Sequence, residues 1–364
     1  MFFVVGEDRS VGLREAISLI QSSHPWLIVK DLSIVLSIVM FVSLAITWII
    51  LYFVRMMDIP NHRSAHKLAT PKCGGVGIVC SVVVGVLLTG NLLLDGLQNV
   101  GGGALLVALL LVAGVSLVDD VIELSPWFRL MVQLLAGMIV LCKSIVPLAG
   151  GGGAILLILC PLAILWIVGM ANLFNFMDGI DGLAAGEGAI VAIVFGIIQF
   201  LEGHQGPALL GLILAVSCIG FLAFNFPPAK VFMGDVGSVS IGFLLAVMAL
   251  LGFVIKPCWN SFWLMPLLSA NFIFDGLTTL LRRVRDGENL FEAHRTHLYQ
   301  RFSLSGFSQR TVTMSNYGMA ICQGVIVLQT WDNLWVGLIM ICSLQFAYRC
   351  MVIKLEERWQ ESNH

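Results

Sequence analysis

The chain has 364 residues, 58% of them hydrophobic and only 12% charged, with a net charge of −2 and a mean hydropathy of +0.94. Soluble domains carry roughly 25% charged residues, so a water-soluble fold is excluded and an integral membrane protein is expected, with no nucleic-acid partner. The nine cysteines contain no CxxC pair, which argues against a disulfide framework and against a zinc site.

Residues 1–32 do not read as a signal peptide, because "GEDR" interrupts the first apolar residues. "VGLREAISLI" fits an interfacial amphipathic helix as well as a loose extension. Eleven apolar runs follow, at about 33–54, 76–94, 102–118, 129–147, 153–171, 184–201, 208–225, 237–255, 260–281, 314–330 and 332–351. Each approaches the roughly 20 residues that cross a bilayer as a helix. The expected fold is therefore all-α: a polytopic membrane helix bundle of about 11 transmembrane helices over 33–352, with a tail at 353–364. An odd number of spans puts the two ends on opposite sides. Fifteen of the twenty Lys and Arg residues then share one side. That side is the cytoplasm by the positive-inside rule, with the N-terminus outside.

The polar clusters fall on the same side. "DIPNHRSAHKLATPKCGG" (58–75) contains Lys67 and comes first. "VDDVIELSPWFR" (118–129) places Asp119 and Asp120 side by side at the end of the third run. Their repulsion is relieved by a divalent cation or a proton, which suits a magnesium site or a general base, although helix-end solvation explains them too. "NLFNFMDGIDG" (172–182) carries Asn172, Asn175, Asp178 and Asp181 at every third position. On a helix that spacing makes a slowly winding polar line, costly after a buried run unless it faces a polar cleft.

"FNFPPAKVFMGDVGS" (224–238) sets Asp235 between glycines at the start of a run, where a helix N-terminus offers N–H groups to a phosphate. Phe232 and Asn225 in the same stretch suit stacking on, and hydrogen bonding to, a planar base. "HRTH" supplies His294 and His297 among Arg282, Arg283, Arg285, Arg295 and Arg301, a setting better suited to an anion such as a diphosphate than to a metal. Asp275 marks function or a local pair with Arg282. Glu187, Glu202 and Asp95 show no partner and read as interfacial residues. Acids for magnesium, bases for a diphosphate, and an aromatic with an amide for a base suit phosphoryl transfer between a nucleotide and a lipid. An ion-coupled transporter is the alternative, but it would place its carboxylates near the bilayer midplane, commonly within inverted repeats. A catalytically idle scaffold is a third reading.

"VDDVIELSP", "NLFNFMDGIDGLAAG", "FNFPPAKVFMGDVGS" and "AHRTHLYQR", in that order, resemble the polyprenyl-phosphate N-acetylhexosamine-1-phosphate transferases, and "RSAHKLATPKCGG" resembles that family's first cytoplasmic loop. The resemblance covers about residues 33–350, and "HRTHLYQR" looks most like the branch that initiates O-antigen. It implies a magnesium-dependent enzyme of the bacterial inner membrane with a cytoplasmic active-site cleft. Such an enzyme joins a UDP-N-acetylhexosamine to undecaprenyl phosphate, releasing UMP, and a homodimer is compatible with it.

Carried over by motif, Asp119 and Asp120 match the paired catalytic acids, acting by direct attack or through a covalent aspartyl intermediate. Asp235 matches the magnesium ligand. Asn172, Asn175, Asp178 and Asp181 match the polar stretch around the nucleotide sugar. Lys67, Asn225 and Phe232 match the uridine and phosphate pocket. His294, Arg295, His297 and Arg301 match the branch-specific loop. Glu123 stands where the peptidoglycan branch has lysine, and "HRTH" replaces its histidine-rich loop. Both departures argue against a muramyl-pentapeptide donor and leave the role of Glu123 open. The sugar among GlcNAc, FucNAc and QuiNAc is not legible.

Overall fold

The computed structural model describes residues 25–54, 56–58, 69–90, 102–148, 153–288 and 296–363. Lys67, Asp95, His294, Arg295 and the amphipathic stretch of the N-terminal extension lie outside them. In hydrocarbon every backbone polar group must be paired within the chain, so apolar runs become helices. Thirteen are described: α1 (Pro25–Phe53), α2 (Val76–Leu88), α3 (Gly102–Ile122), α4 (Pro126–Leu148), α5 (Gly153–Met177), α6 (Leu183–Leu201), α7 (Gln205–Asn225), α8 (Asp235–Ile255), α9 (Trp259–Leu268), α10 (Ala270–Arg285), α11 (Leu298–Leu304), α12 (Gln309–Gln329) and α13 (Leu334–Asn363). Two strands of two residues each, β1 (Met57–Asp58) and β2 (Thr70–Pro71), pair antiparallel in the register Met57↔Pro71.

Among the described residues nine helices are long and apolar enough to cross a membrane. The eleven expected spans differ from these at two places. The second is only the 13-residue α2, about 20 Å long at 1.5 Å per residue and short of the roughly 30 Å hydrocarbon core. The ninth breaks into α9 and α10, bent by 73°. At the ends, α1 starts at Pro25 and α13 runs on through the tail to Asn363.

Helix α8 is the axis of the bundle. It packs on α2, α3, α4, α5, α6, α7 and α9, and most of its side chains are buried. The peripheral helices turn large apolar residues outward, among them Phe41, Leu110, Leu165 and Ile339, as a lipid-facing surface requires.

Two acids read as interfacial behave otherwise. Glu202 pairs with Lys256, Oε2 to Nζ at 2.7 Å, and accepts the Trp331 indole N–H at 2.7 Å. This ties the α6–α7, α8–α9 and α12–α13 connections together at the end of the bundle away from the acidic motifs. Glu187 of α6 is fully buried, and neither of its oxygens has a hydrogen-bond partner. The amide that bears on it is Asn271 of α10.

Candidate active site

The motifs converge at the opposite end of the bundle. Residues 70–75 run beside 231–233: Phe232 N–H donates to Pro71 O (2.8 Å), and Gly74 and Gly75 N–H donate to Phe232 O and Met233 O (both 2.9 Å). The first-loop stretch and the "VFMGD" stretch thus form one wall, with the Phe232 ring half-buried in it.

Asp119 and Asp120 leave the last turn of α3 in different directions. Asp119 accepts the Leu124 N–H at 2.6 Å and the Arg129 guanidinium at 2.6 Å. The same Arg129 nitrogen reaches Asp235 at 3.2 Å, so one cation bridges two carboxylates. Asp120 accepts the N–H groups of Asp235 and Val236, each at 3.2 Å. The N-terminus of α8, whose N–H groups the sequence reading offers to a phosphate, is therefore filled by Asp120, because a carboxylate of the same chain is already within reach. Gly234 makes this possible: its φ is +74°, and a Cβ there would lie 2.6 Å from Asp120 Oδ2, closer than non-bonded atoms tolerate. Glu123, with φ +45°, takes the left-handed turn that ends α3, a backbone role for a residue whose side chain is exposed.

Helix α5 stops at Met177, so Asn172 and Asn175 are helical while Asp178 and Asp181 lie in the following turn, not on one continuous helical line. Gly182, at φ +75°, sets that turn. Asn175 donates to Ser238 of α8 at 3.2 Å. Burial, and then the negative charges of Asp235, Asp120 and Asp181, push the Asp178 carboxyl well above the usual carboxylate range. Asp178 therefore lies near enough to Asp120, Asp181 and Asp235 to feel their charges. Asp181 accepts the Ala229 N–H at 2.9 Å. Asn225 is buried, accepting from Gly182 N–H and donating to Val231 O, both at 2.9 Å. Asn172 sits within α5, more than a turn before its end at Met177, and donates to Gln133 of α4 at 2.7 Å.

Cys73, behind Asp120, has its thiol pushed up to about 12 by burial and by the Asp120 charge, which makes it unreactive. His297 is buried and pairs with Asp275 at 3.1 Å, not with an open anion site. Asp275 also accepts the N–H groups of Leu298 (2.8 Å) and Tyr299 (3.2 Å), so its partner is the start of α11 rather than Arg282. Tyr299 donates to Phe176 O at 3.1 Å and places α11 against the end of α5. Arg301 is paired with Glu356 of α13.

The structure thus brings Asp119, Asp120, Asp178, Asp235 and Asn175 together. It sets Asp181 and Asn225 in the adjoining loops, His297 and Arg301 one layer behind, and Asn172 deeper in the bundle. Arg129 is the member that sequence reasoning missed. The donors are all oxygen, which suits a hard divalent cation. Among the described residues no three His, Cys, Asp or Glu side chains already close around a common point.

Residues 103–253 match the family described as glycosyl transferase family 4. A relative from Bacillus subtilis, a probable undecaprenyl-phosphate N-acetylglucosaminyl 1-phosphate transferase, is 29% identical over 79% of this chain and 82% of its own length. The decaprenyl-phosphate N-acetylglucosaminephosphotransferase of Mycobacterium leprae is 33% identical over 71% and 72%. A phospho-N-acetylmuramoyl-pentapeptide-transferase of Streptococcus thermophilus is 30% identical over 69% and 78%.

Proposed function

This chain belongs to glycosyl transferase family 4, and from that premise we propose that it transfers a sugar phosphate to a polyprenyl phosphate. More finely, the donor is a UDP-N-acetylhexosamine and the acceptor undecaprenyl phosphate, in the bacterial inner membrane. The products are undecaprenyl-diphosphate-sugar and UMP, the first step of O-antigen or a related envelope glycan. The names of the relatives, which specify undecaprenyl or decaprenyl phosphate, support the acceptor class. "HRTHLYQR" and Glu123 favour a simple N-acetylhexosamine over a muramyl-pentapeptide donor.

The observation that carries the reading is the acidic assembly at one end of the bundle, in which Arg129 joins Asp119 to Asp235 and Asp120 closes the α8 N-terminus. In the reaction an oxygen of the lipid phosphate attacks the phosphorus bearing the sugar, and the bond to UMP breaks. Both reactants are anionic, so four carboxylates alone would repel them. Magnesium, when bound, neutralises the diphosphate oxygens. Asp235, half-exposed at the mouth of α8, is the ligand we assign to it. Asp119, held by Arg129 and Leu124 N–H, positions the lipid phosphate. Both oxygens of Asp120 are committed to α8, which favours direct attack by the lipid phosphate over a covalent intermediate on Asp120.

The test is UMP release by detergent-purified protein supplied with undecaprenyl phosphate and a panel of UDP-N-acetylhexosamines, with and without magnesium, beside Asp235→Asn. Release that needs lipid and magnesium, and falls at least 100-fold in the variant (roughly the loss of one key electrostatic group), is the expected result. Folded protein that releases no UMP from any donor overturns the reading.

A further inference from the structure

Helix α12 is the least apolar of the nine long helices, with a mean hydropathy of 1.2 over its best window. A span gains nothing from polar side chains unless they are used. Three of them, Gln309, Thr313 and Tyr317, recur at every fourth position and form one stripe. All three are spent on two consecutive residues of the turn after α5. Gln309 Oε1 accepts the Asp181 N–H at 3.3 Å, the fully buried Thr313 hydroxyl donates to Asp181 O at 2.9 Å, and the Tyr317 hydroxyl donates to Gly182 O at 2.6 Å.

On its other side the same turn is held by Asn225 and Ala229. Tyr317 comes this close because α6 has glycine at 186: a Cβ there would lie 2.0 Å from the Tyr317 ring and hydroxyl. Backbone groups of this turn are thus clamped by helix α12.

We propose that Tyr317, with Thr313 and Gln309, is a positioning element that fixes the Asp181–Gly182 peptide and so sets the direction of Asp178 into the acidic site. Its catalytic consequence rests on the transferase reading; its structural core does not. No proton or bond is exchanged at α12. The stripe acts only through the turn.

Two readouts test it, on full-length protein, in Tyr317→Phe and in Thr313→Val, which keeps the side-chain shape. Asn316→Ala is the control. On the same helix as the stripe, it removes the acceptor of the hydrogen bond from Asn271 of α10 (3.0 Å) and does not touch the turn. The first readout, backbone amide exchange over residues 178–186, needs no substrate. It is expected to speed up about tenfold in both stripe variants, as the loss of one hydrogen bond implies, and to stay at the wild-type rate in the control. The second is lipid-dependent UMP release. The stripe variants are expected to lose roughly 5- to 10-fold in kcat with the donor KM unchanged, while Asn316→Ala lowers Tm but keeps its kcat. If Tyr317→Phe does not fold, Thr313→Val decides. Unchanged exchange in the turn, or an unchanged kcat in an active enzyme, overturns the positioning role. An inactive wild type with exchange behaving as described overturns the transferase reading alone.

Discussion

Arg129 stands in the first turn of α4, where the helix dipole disfavours a cation, and it is held there by two carboxylates from elsewhere in the chain. Removing it would leave Asp119 and Asp235 facing one another unscreened. Arg129→Gln is therefore expected to lower kcat roughly 100-fold and to lower the magnesium concentration needed for half-maximal UMP release, because the two freed carboxylates attract the cation more strongly. A variant with wild-type magnesium dependence would show that the bridge is idle. In the sequence Arg129 is one of fifteen basic residues on its side, and nothing marks it out. Its partners lie 10 and 106 residues away, and the longer separation is invisible to any local pattern. Asp119, Asp120 and Asp235 were legible because acids at the ends of apolar runs are expensive. The capture of the α8 N-terminus by Asp120 was not, since it depends on two helix ends meeting in space.

At the scale of elements, the helices were readable from apolar run length, and their interruptions were not. The break between α9 and α10 follows Pro266, and Pro266, Ser269 and Asn271 mark it in the sequence but are outweighed by the apolar residues on either side, while the shortness of α2 was masked by apolar residues beyond Leu88. The far-end latch between connections shows how such helices are fastened. Burial raises the Glu202 carboxyl, but the Lys256 and Trp331 hydrogen bonds and the Lys256 charge outweigh it, leaving its pKa below the ordinary 4.5. Burial holds neighbouring His204 below its ordinary 6.5, against the pull of Glu202. In both cases the unfolded chain binds protons that the folded one resists, so stability rises with pH across each window. Thermal unfolding at a series of pH values is expected to show Tm falling as the pH drops below about 6.5, through His204, and again below about 4.5, through Glu202. His204→Gln should remove the first decline and Glu202→Gln the second. A flat wild-type profile would show that the latch does not contribute.

For the whole molecule the governing fact is asymmetry: acids, amides and most cations at one end, a small polar latch at the other. The positive-inside count assigns the acidic end to the cytoplasm, where a nucleotide sugar would be met. This orientation predicts that a fluorescent protein fused after His364 fluoresces in intact bacteria. Alkaline phosphatase fused after Gly203 should be active, because that enzyme works only once exported. The reverse pair of signals would place the acidic end outside and remove the donor from its reach. Charge alone supplies the expected sidedness, and the two fusions test it. The role of α12 in holding the site was not legible, because its polar stripe reads like any amphipathic span until its targets are seen.

The buried acid of α6 has a consequence for the order in which the chain is made. α6 leaves the ribosome carrying Glu187 in its second turn, and a carboxylate in a lone apolar helix is costly to insert, though less so near an end than at the centre. The helices that enclose it, α10 and α12, are synthesised later. Until they arrive, α6 must delay its entry, lie against α7, or enter with its acid protonated. A nascent chain halted before α10 would therefore hold α6 in the bilayer less securely than the finished protein does, and insertion of this half of the bundle is completed from its C-terminal side.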